Sequence, residues 1–267
     1  MDVSAVVLSF NSKNYIETCV DSLVSAYQQG GLTGEIVVIE NGSTDGSISI
    51  LRRLQDKYPE HLQVIYLGRN TGTTYSRNRG LAISKGKYIL ILDSDAYMNA
   101  AALTGMKDWL DANPTTGLVS PKLTYPDGRF QLSVDTFPTL SRKFQRFFML
   151  KQMEAQEDVQ LTEPTDIDYA ISACWMFPAE TYYQIGALDE KIFYSPEDVD
   201  FCLRVWQSGK KITYLPQFSV VHDAQEKSRG FKVNYFTYLH IKGLMYFFNK
   251  HKYVFKLENL YRRLGRK

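Results

Sequence analysis

The chain of 267 residues is 44% hydrophobic with a formal net charge of +2 at pH 7, an ordinary globular composition with material for one large α/β domain or two small ones. Three widely spaced cysteines, Cys19, Cys174 and Cys202, exclude a disulfide framework or a cysteine zinc site and read as buried, reduced thiols. The start MDVSAVVLSF, acidic at Asp2 and running straight into polar NSKN, argues against a leader, and no segment reaches the roughly 20 uncharged apolar residues of a spanning helix, so a cytoplasmic protein is expected.

Residues 3–10, VSAVVLSF, predict a strand, and Ile16, Val20, Leu23, Val24 and Tyr27 then recur at helical spacing behind an Asn14 cap with Glu17 three residues later. EIVVIE (35–40) predicts a second strand, and NGSTDGS leads into Ile48, Leu51 and Leu54 with Ser43 or Asp45 as cap. LQVIYLG (62–68) is a third, followed by Asn70-Thr71-Gly72 and a helix through Leu81 and Ile83. The fourth, Tyr88-Ile89-Leu90-Ile91-Leu92, is an unbroken apolar run of the kind buried on both faces of parallel sheets, and it ends in Asp93-Ser94-Asp95. A helix near Ala100 to Ala112 follows, then the strand and Pro-Asp-Gly turn of GLVSPKLTYPDG and a less regular stretch to about Pro164. DYAISACWMF (168–177) and KKITYLPQFSVVHD (210–223) predict further strands, with the helix EDVDFCLRVWQSG between them.

Strands alternating with helices at this rhythm define an α/β fold with a mostly parallel sheet and right-handed crossovers, and ligands of such sheets bind beyond the carboxyl ends of the strands. The polar residues stand there: Ser9 and Asn11 after strand one, Glu40 to Asp45 after strand two, Arg69 to Gly72 after strand three, Asp93 and Asp95 after strand four. Asp-x-Asp leaving a buried strand offers two hard oxygen ligands, suited to Mg²⁺ or Mn²⁺ carrying substrate phosphates. His222, ending the apolar run FSVVH, offers either an imidazole for the same cation or a hydrogen-bonded surface group. Glu197 and Asp198 fall at a helix N-terminus, where the dipole favours negative charge with or without a function. Asp200 and Arg204 stand at i, i+4 spacing as a structural pair.

The ordered segments VVLSFN, VVIENGSTDGS, GRNTGTTYSRNRGLAISKGKYILILDSDA, SACWMFPAETYYQIGALDEKIFYSPEDVDFCLRVWQSGKKITYLP and VVH, from Val3 to about Arg229, resemble family 2 inverting glycosyltransferases of bacterial polysaccharide assembly, rhamnosyltransferases included. The resemblance implies the GT-A fold, a Rossmann-like central sheet flanked by helices. It places Ser9, Asn11, Glu40 and Asp45 at the base and ribose of a nucleotide, with Glu40 standing where the family has Asp. It also brings Asn70, Gly72 and Asn78 near that nucleotide. Asp93 and Asp95, with Ser94 between them, become the metal-binding pair, Asp95 the direct ligand, and His222 joins them around Mn²⁺ or Mg²⁺. Asp198 becomes the catalytic base, with Glu197 beside it. Trp175 falls near the donor sugar and acceptor or, equally, in the core. Arg229 offers a fork of donors to a diphosphate. The expected reaction moves a sugar from a UDP- or dTDP-linked donor to a glycan or lipid-linked acceptor. It is expected to be non-processive, because no Gln-x-x-Arg-Trp motif or spanning helix is present.

Two other classes compete. Haloacid-dehalogenase-type phosphatases place Asp-x-Asp after their first strand, whereas three strand-helix units precede it here. A non-catalytic sugar-nucleotide binding protein would not need Asp198. A dinucleotide oxidoreductase fails earlier, since no G-x-G-x-x-G follows strand one.

Residues 227–267 hold eleven Lys and Arg against Glu258 alone, while the remainder has twenty cations and twenty-eight acids. The expected division is a catalytic domain at 1–226, with a nucleotide-binding half at 1–95 and an acceptor-binding half at 96–226, and a basic helical extension at 227–267. Val254, Leu257, Leu260, Tyr261 and Leu264 form a helical stripe beside basic residues. That stripe suits peripheral attachment to an anionic membrane on its inner face. It equally suits packing on the body or in a homodimer, with a solvated basic side. The acidic body argues against nucleic acid.

Overall fold

The computed structural model describes residues 1–224 and 235–266. In chain order its elements are β1 (Val3–Ser9), α1 (Ile16–Gly30), β2 (Gly34–Glu40), α2 (Ser47–Lys57), β3 (Leu62–Tyr66), α3 (Thr73–Leu81), β4 (Tyr88–Asp93) and β5 (Ala96–Tyr97). Then come α4 (Ala100–Ala112), β6 (Thr116–Thr124), β7 (Phe130–Gln131), β8 (Val134–Asp135), α5 (Leu140–Gln160), β9 (Thr165–Asp166), β10 (Tyr169–Ala170) and β11 (Cys174–Pro178). The last are α6 (Ala179–Ile185), α7 (Glu197–Gln207), β12 (Lys211–His222), α8 (Tyr235–His251) and α9 (Glu258–Arg263).

The main sheet runs β3-β2-β1-β4-β11-β6-β12-β5. β1 pairs in parallel with β2 and β4, and β2 with β3, the half that the strand-helix alternation predicts. β11 enters antiparallel between β4 and β6, β12 lies parallel to β6, and β5 closes antiparallel on the end of β12. The result is a mixed, mostly parallel sheet flanked by helices. Side-chain alternation sends Val3, Ala5, Val7, Leu90 and Leu92 into the core under α1, α2 and α4, and Val6, Ile89 and Ile91 into the core shared with α7 and α8. All three cysteines are free and buried.

Helix starts depart from the sequence reading in detail. Asn14 does not cap α1; Tyr15 precedes the first helical residue without a side-chain cap, and the amides of Tyr15 and Ile16 donate instead to the Ser12 carbonyl. Asp45, not Ser43, serves the start of α2, its Oδ1 accepting from the Ser47 amide at 3.0 Å. The segment 168–177 splits into β10 and β11, because β10 pairs with β8 while β11 joins the main sheet.

The apolar stripe of the C-terminal segment is used against the body. Phe247 is fully enclosed, Leu260 is 1% exposed, and Leu257, Tyr261 and Leu264 pack on the same core. Beside them Asp200, fully buried, accepts from Arg204 Nε at 2.9 Å, Lys250 Nζ at 2.6 Å and His251 Nε2 at 2.8 Å. Burial would raise the Asp200 carboxyl, but His251, Arg204 and Lys250 hold it down to about 2. The expected Asp200–Arg204 pair is therefore part of a ring that fastens α8 to α7. Gly243 lies so close to the Ser195 carbonyl that a Cβ there would collide with it. Among the described residues no helix is long and apolar enough to cross a membrane. Arg229 lies outside the described residues, as does the start of the basic extension.

Candidate active site

The end of β4 carries Asp93, and the short turn through Ser94 brings Asp95 to β5. β5 pairs with the end of β12 so that His222 stands opposite Ala96, and the Asp223 amide donates to the Asp95 carbonyl at 2.8 Å. This register sets His222 Nε2 3.4 Å from Asp95 Oδ1 and 3.9 Å from Asp93 Oδ2. Nδ1 of the ring lies 2.7 Å from Gln131 Oε1, and the tautomer that donates there turns its Nε2 lone pair toward the carboxylates. Asp93, Asp95 and His222 offer ligand atoms within 4.8 Å of one another, a hard donor set that fits a divalent cation.

A second acidic pair is joined to this cluster through one cation. Arg77 of α3 is 2% exposed. Its Nη2 donates to Asp93 Oδ1 at 2.5 Å, and its Nη1 to Ser172 Oγ at 2.7 Å and to Glu197 Oε1 at 3.3 Å. Ser172 Oγ also donates to Glu197 Oε1 at 3.1 Å. Burial, reinforced by the neighbouring Asp198, pushes the Glu197 carboxyl up to about 8 against the pull of Arg77. Burial likewise raises Asp198, opposed most by the charge of Lys143, and the Val199 amide donates to Asp198 Oδ1 at 2.8 Å. Both carboxyls of the pair are thus raised by burial, and each disfavours the charge of the other.

At the ends of β1 and β2 the expected nucleotide residues form one polar shelf. Asn11, with φ of 50°, donates its amide to Ser43 Oγ and accepts from the Thr44 amide, each at 2.9 Å. Ser9 Oγ is 2.7 Å from Ser12 Oγ, and Asp45 Oδ2 accepts from the Lys13 amide at 2.9 Å. Glu40 is fully buried, its two oxygens taking the amides of Ser43 at 2.6 Å and Gly42 at 3.1 Å. The longer side chain thus folds back on its own loop. Asn70 Oδ1 accepts from the Gly72 amide at 2.9 Å. Gly72 has φ of 84° and lies against the Phe193 carbonyl where a Cβ would collide, so only glycine fits.

Trp175, left open between cleft and core, and Asn78, expected near the nucleotide, both lie in packed surroundings. Trp175 is fully enclosed, its indole N–H donating to the Ala170 carbonyl at 3.2 Å and its ring stacked on Phe201. It belongs to the core because β11 inserts between β4 and β6. Asn78 is buried and turned away from the shelf, clamping Leu188 through its amide and carbonyl groups at 2.9 Å each and reaching Glu190. Sequence reasoning missed Arg77, Ser172 and Gln131. The available signal for Arg77 was a helix, TTYSRNRGL, with almost no apolar residues yet set between two strands.

The parallel half of the sheet thus carries two carboxylates at the mouth of β4, joined through Arg77 to a second acidic pair at the start of α7. The chain belongs to glycosyl transferase family 2, whose model matches residues 4–186. It is 36% identical over 93 residues to a putative teichuronic acid biosynthesis glycosyltransferase, TuaG, of Bacillus subtilis, a match spanning 35% of each chain. It is 38% identical over 104 residues to a poly(ribitol-phosphate) beta-glucosyltransferase of Bacillus spizizenii, covering 39% of this chain and 16% of that one. The matches thus span about a third or less of these two relatives' length. Among solved structures it resembles TarS 1–349 of S. aureus in complex with UDP, with a TM-score of 0.62 at 22% identity over 83% of this chain and 60% of that one. It also resembles GalNAc-T7 with UDP, GalNAc and Mn²⁺, with a TM-score of 0.64 at 15% identity over 87% and 45% of the two chains. These likenesses show that the fold is shared.

Proposed function

We propose that the protein transfers a sugar from a UDP- or dTDP-linked donor to a hydroxyl of a glycan or lipid-linked acceptor, with inversion at the anomeric carbon. The observation that carries this reading is Arg77 joining Asp93 to Glu197, which sets the cation ligands and the Asp198 carboxylate around one mouth. Asp93, Asp95 and His222 would hold Mn²⁺ or Mg²⁺, which when bound neutralises charge on the leaving diphosphate. Asn11 and Asp45 line the shelf for the base and ribose, while Ser9, fully buried against Ser12, and Glu40, Asn70 and Gly72 support it from behind. Asp198 accepts the proton of the acceptor hydroxyl as that oxygen bonds to the anomeric carbon. The bond from that carbon to the diphosphate oxygen breaks, and its electron pair leaves with the diphosphate. Family membership leaves the phosphatase reading without support, and the Asp198 environment favours an enzyme over a binding module.

A thermal-shift series with UDP, dTDP, GDP and CMP and their common sugar conjugates, each with and without Mn²⁺, tests the reading. One nucleotide is expected to raise the midpoint in a metal-dependent way, since a ligand that binds only the folded state stabilises it by mass action. No shift with any of them at millimolar concentration would overturn it. Asp95→Ala is expected to abolish the Mn²⁺-dependent part of that shift, because His222 and Asp93 alone leave the cation short of ligands. An unchanged Mn²⁺ response would remove Asp95 from the site.

A further inference from the structure

With the C-terminal stripe turned inward except at Val254, the outward-facing apolar groups gather on other elements. Of the thirteen large hydrophobic side chains exposed among the described residues, nine sit on α5, α8 and the turn after α8. Phe144 is 68% exposed and packs on Phe148, itself 57% exposed, with ring centroids 4.5 Å apart. On α8, Ile241 and Met245 are 53% and 69% exposed, one turn apart on the same side, and Phe255 beyond the helix is 69% exposed. The Leu140 amide, at the start of α5, donates to the Val254 carbonyl at 3.4 Å, so the two groups adjoin.

Scattered exposed apolar residues are ordinary, but aromatic and aliphatic groups gathered on neighbouring helices mark a contact surface. Its charge distinguishes the occupants. On α5, Arg142 and Arg146 turn inward to Asp135 at 2.7 and 2.8 Å and Lys143 lies on the side of Asp198, so this helix brings apolar groups to the face and the charge comes from its C-terminal neighbours. On the C-terminal side Lys250 and Arg266 turn inward to Asp200 and Asp168. Lys242, Lys252, Lys256 and Arg262 are exposed and have no acidic partner among the described residues. A second copy would set one basic face against another. An anionic lipid surface satisfies both features, taking the apolar groups below its headgroups and the ammonium and guanidinium groups among its phosphates.

We propose that the outer faces of α5 and α8, with the turn at 254–255, dock this protein on an anionic bilayer surface. The proposal goes beyond the assignment of the reaction and is read without donor or acceptor. Lys143, the charge that most opposes the burial of Asp198, stands on α5 itself, so the face borders the side of the base.

The test is flotation of the full chain with vesicles containing phosphatidylglycerol and with pure phosphatidylcholine vesicles. Light scattering of the free protein and thermal unfolding of every variant accompany it. The wild-type chain is expected to float with the anionic vesicles only, and less at high salt. Phe144→Glu with Phe148→Glu, and separately Ile241→Glu with Met245→Glu, are expected to lower binding about tenfold or more while keeping the unfolding midpoint, since these groups touch solvent. Absence of flotation, equal binding to neutral vesicles, or variants that float like the wild type would overturn the proposal. A dimer that either pair of substitutions dissociates would also overturn it, by assigning the face to a second copy.

Discussion

Asp198→Asn is expected to lower turnover by about 10²- to 10⁴-fold, the usual worth of a positioned general base, with donor affinity nearly unchanged. The amide is isosteric and its oxygen still accepts from the Val199 amide, so the start of α7 keeps its geometry. What disappears is basicity. Because burial raises the proton affinity of Asp198, the acid limb of kcat/KM in the parent should lie above the ordinary carboxylate range, and activity should fall as pH drops through it. The same shift carries a sign for folding. A carboxyl whose folded pKa is raised contributes stability that is present below its unfolded pKa and lost as pH rises through the folded value. The Asn variant, freed of that loss, should be at least as stable as the parent at neutral pH. Turnover within a few-fold of the parent would place the base elsewhere, and an equal loss of donor affinity would make Asp198 a binding residue instead.

Arg77→Met should be the most disruptive single change among the polar site residues. The guanidinium has Asp93 on one nitrogen and Glu197 and Ser172 on the other. An apolar side chain of similar length leaves those groups without their cation, at a cost of about 3–5 kcal/mol. Denaturant unfolding should show that loss, and turnover and the Mn²⁺-dependent donor shift should fall with it. Arg77→Lys restores the charge but not the fork, since one ammonium does not reproduce the planar donors that reach both carboxylates. It should recover most of the stability and little of the turnover. Stability and turnover both within a few-fold for Arg77→Met would mean that the two carboxylate groups are held independently.

The parallel half of the sheet was legible because its signals are local. The apolar run at 88–92 ends in polar Asp93, and the segments 3–9 and 35–40 behave alike, so strand, face and ligand end follow from one stretch of chain each. The second half was less so. Nothing in DYAISACWMF says that its first residues pair with β8 and its last with β4, and so Trp175 could not be assigned to core or cleft in advance. The link through Arg77 spans 95 residues to Ser172 and 120 to Glu197, distances over which spacing carries no signal. Glu40 illustrates a further limit: a carboxylate at the right position was readable, but not that its extra methylene would let it bind its own loop. The C-terminal stripe was recognised as amphipathic, yet amphipathicity does not say what covers the apolar side.

Gly243 gives the last helix a mechanical meaning. It brings α8 against the Ser195 carbonyl, two residues before the Glu197–Asp198 pair, while Lys250 and His251 grip Asp200 two residues after that pair. The start of α7 is therefore held from both flanks by an element far along the chain. Truncations that look like trimming a basic tail would act as lesions of the proposed reaction centre, and a tilt of α8 imposed from outside would be transmitted to Asp198 through backbone contact.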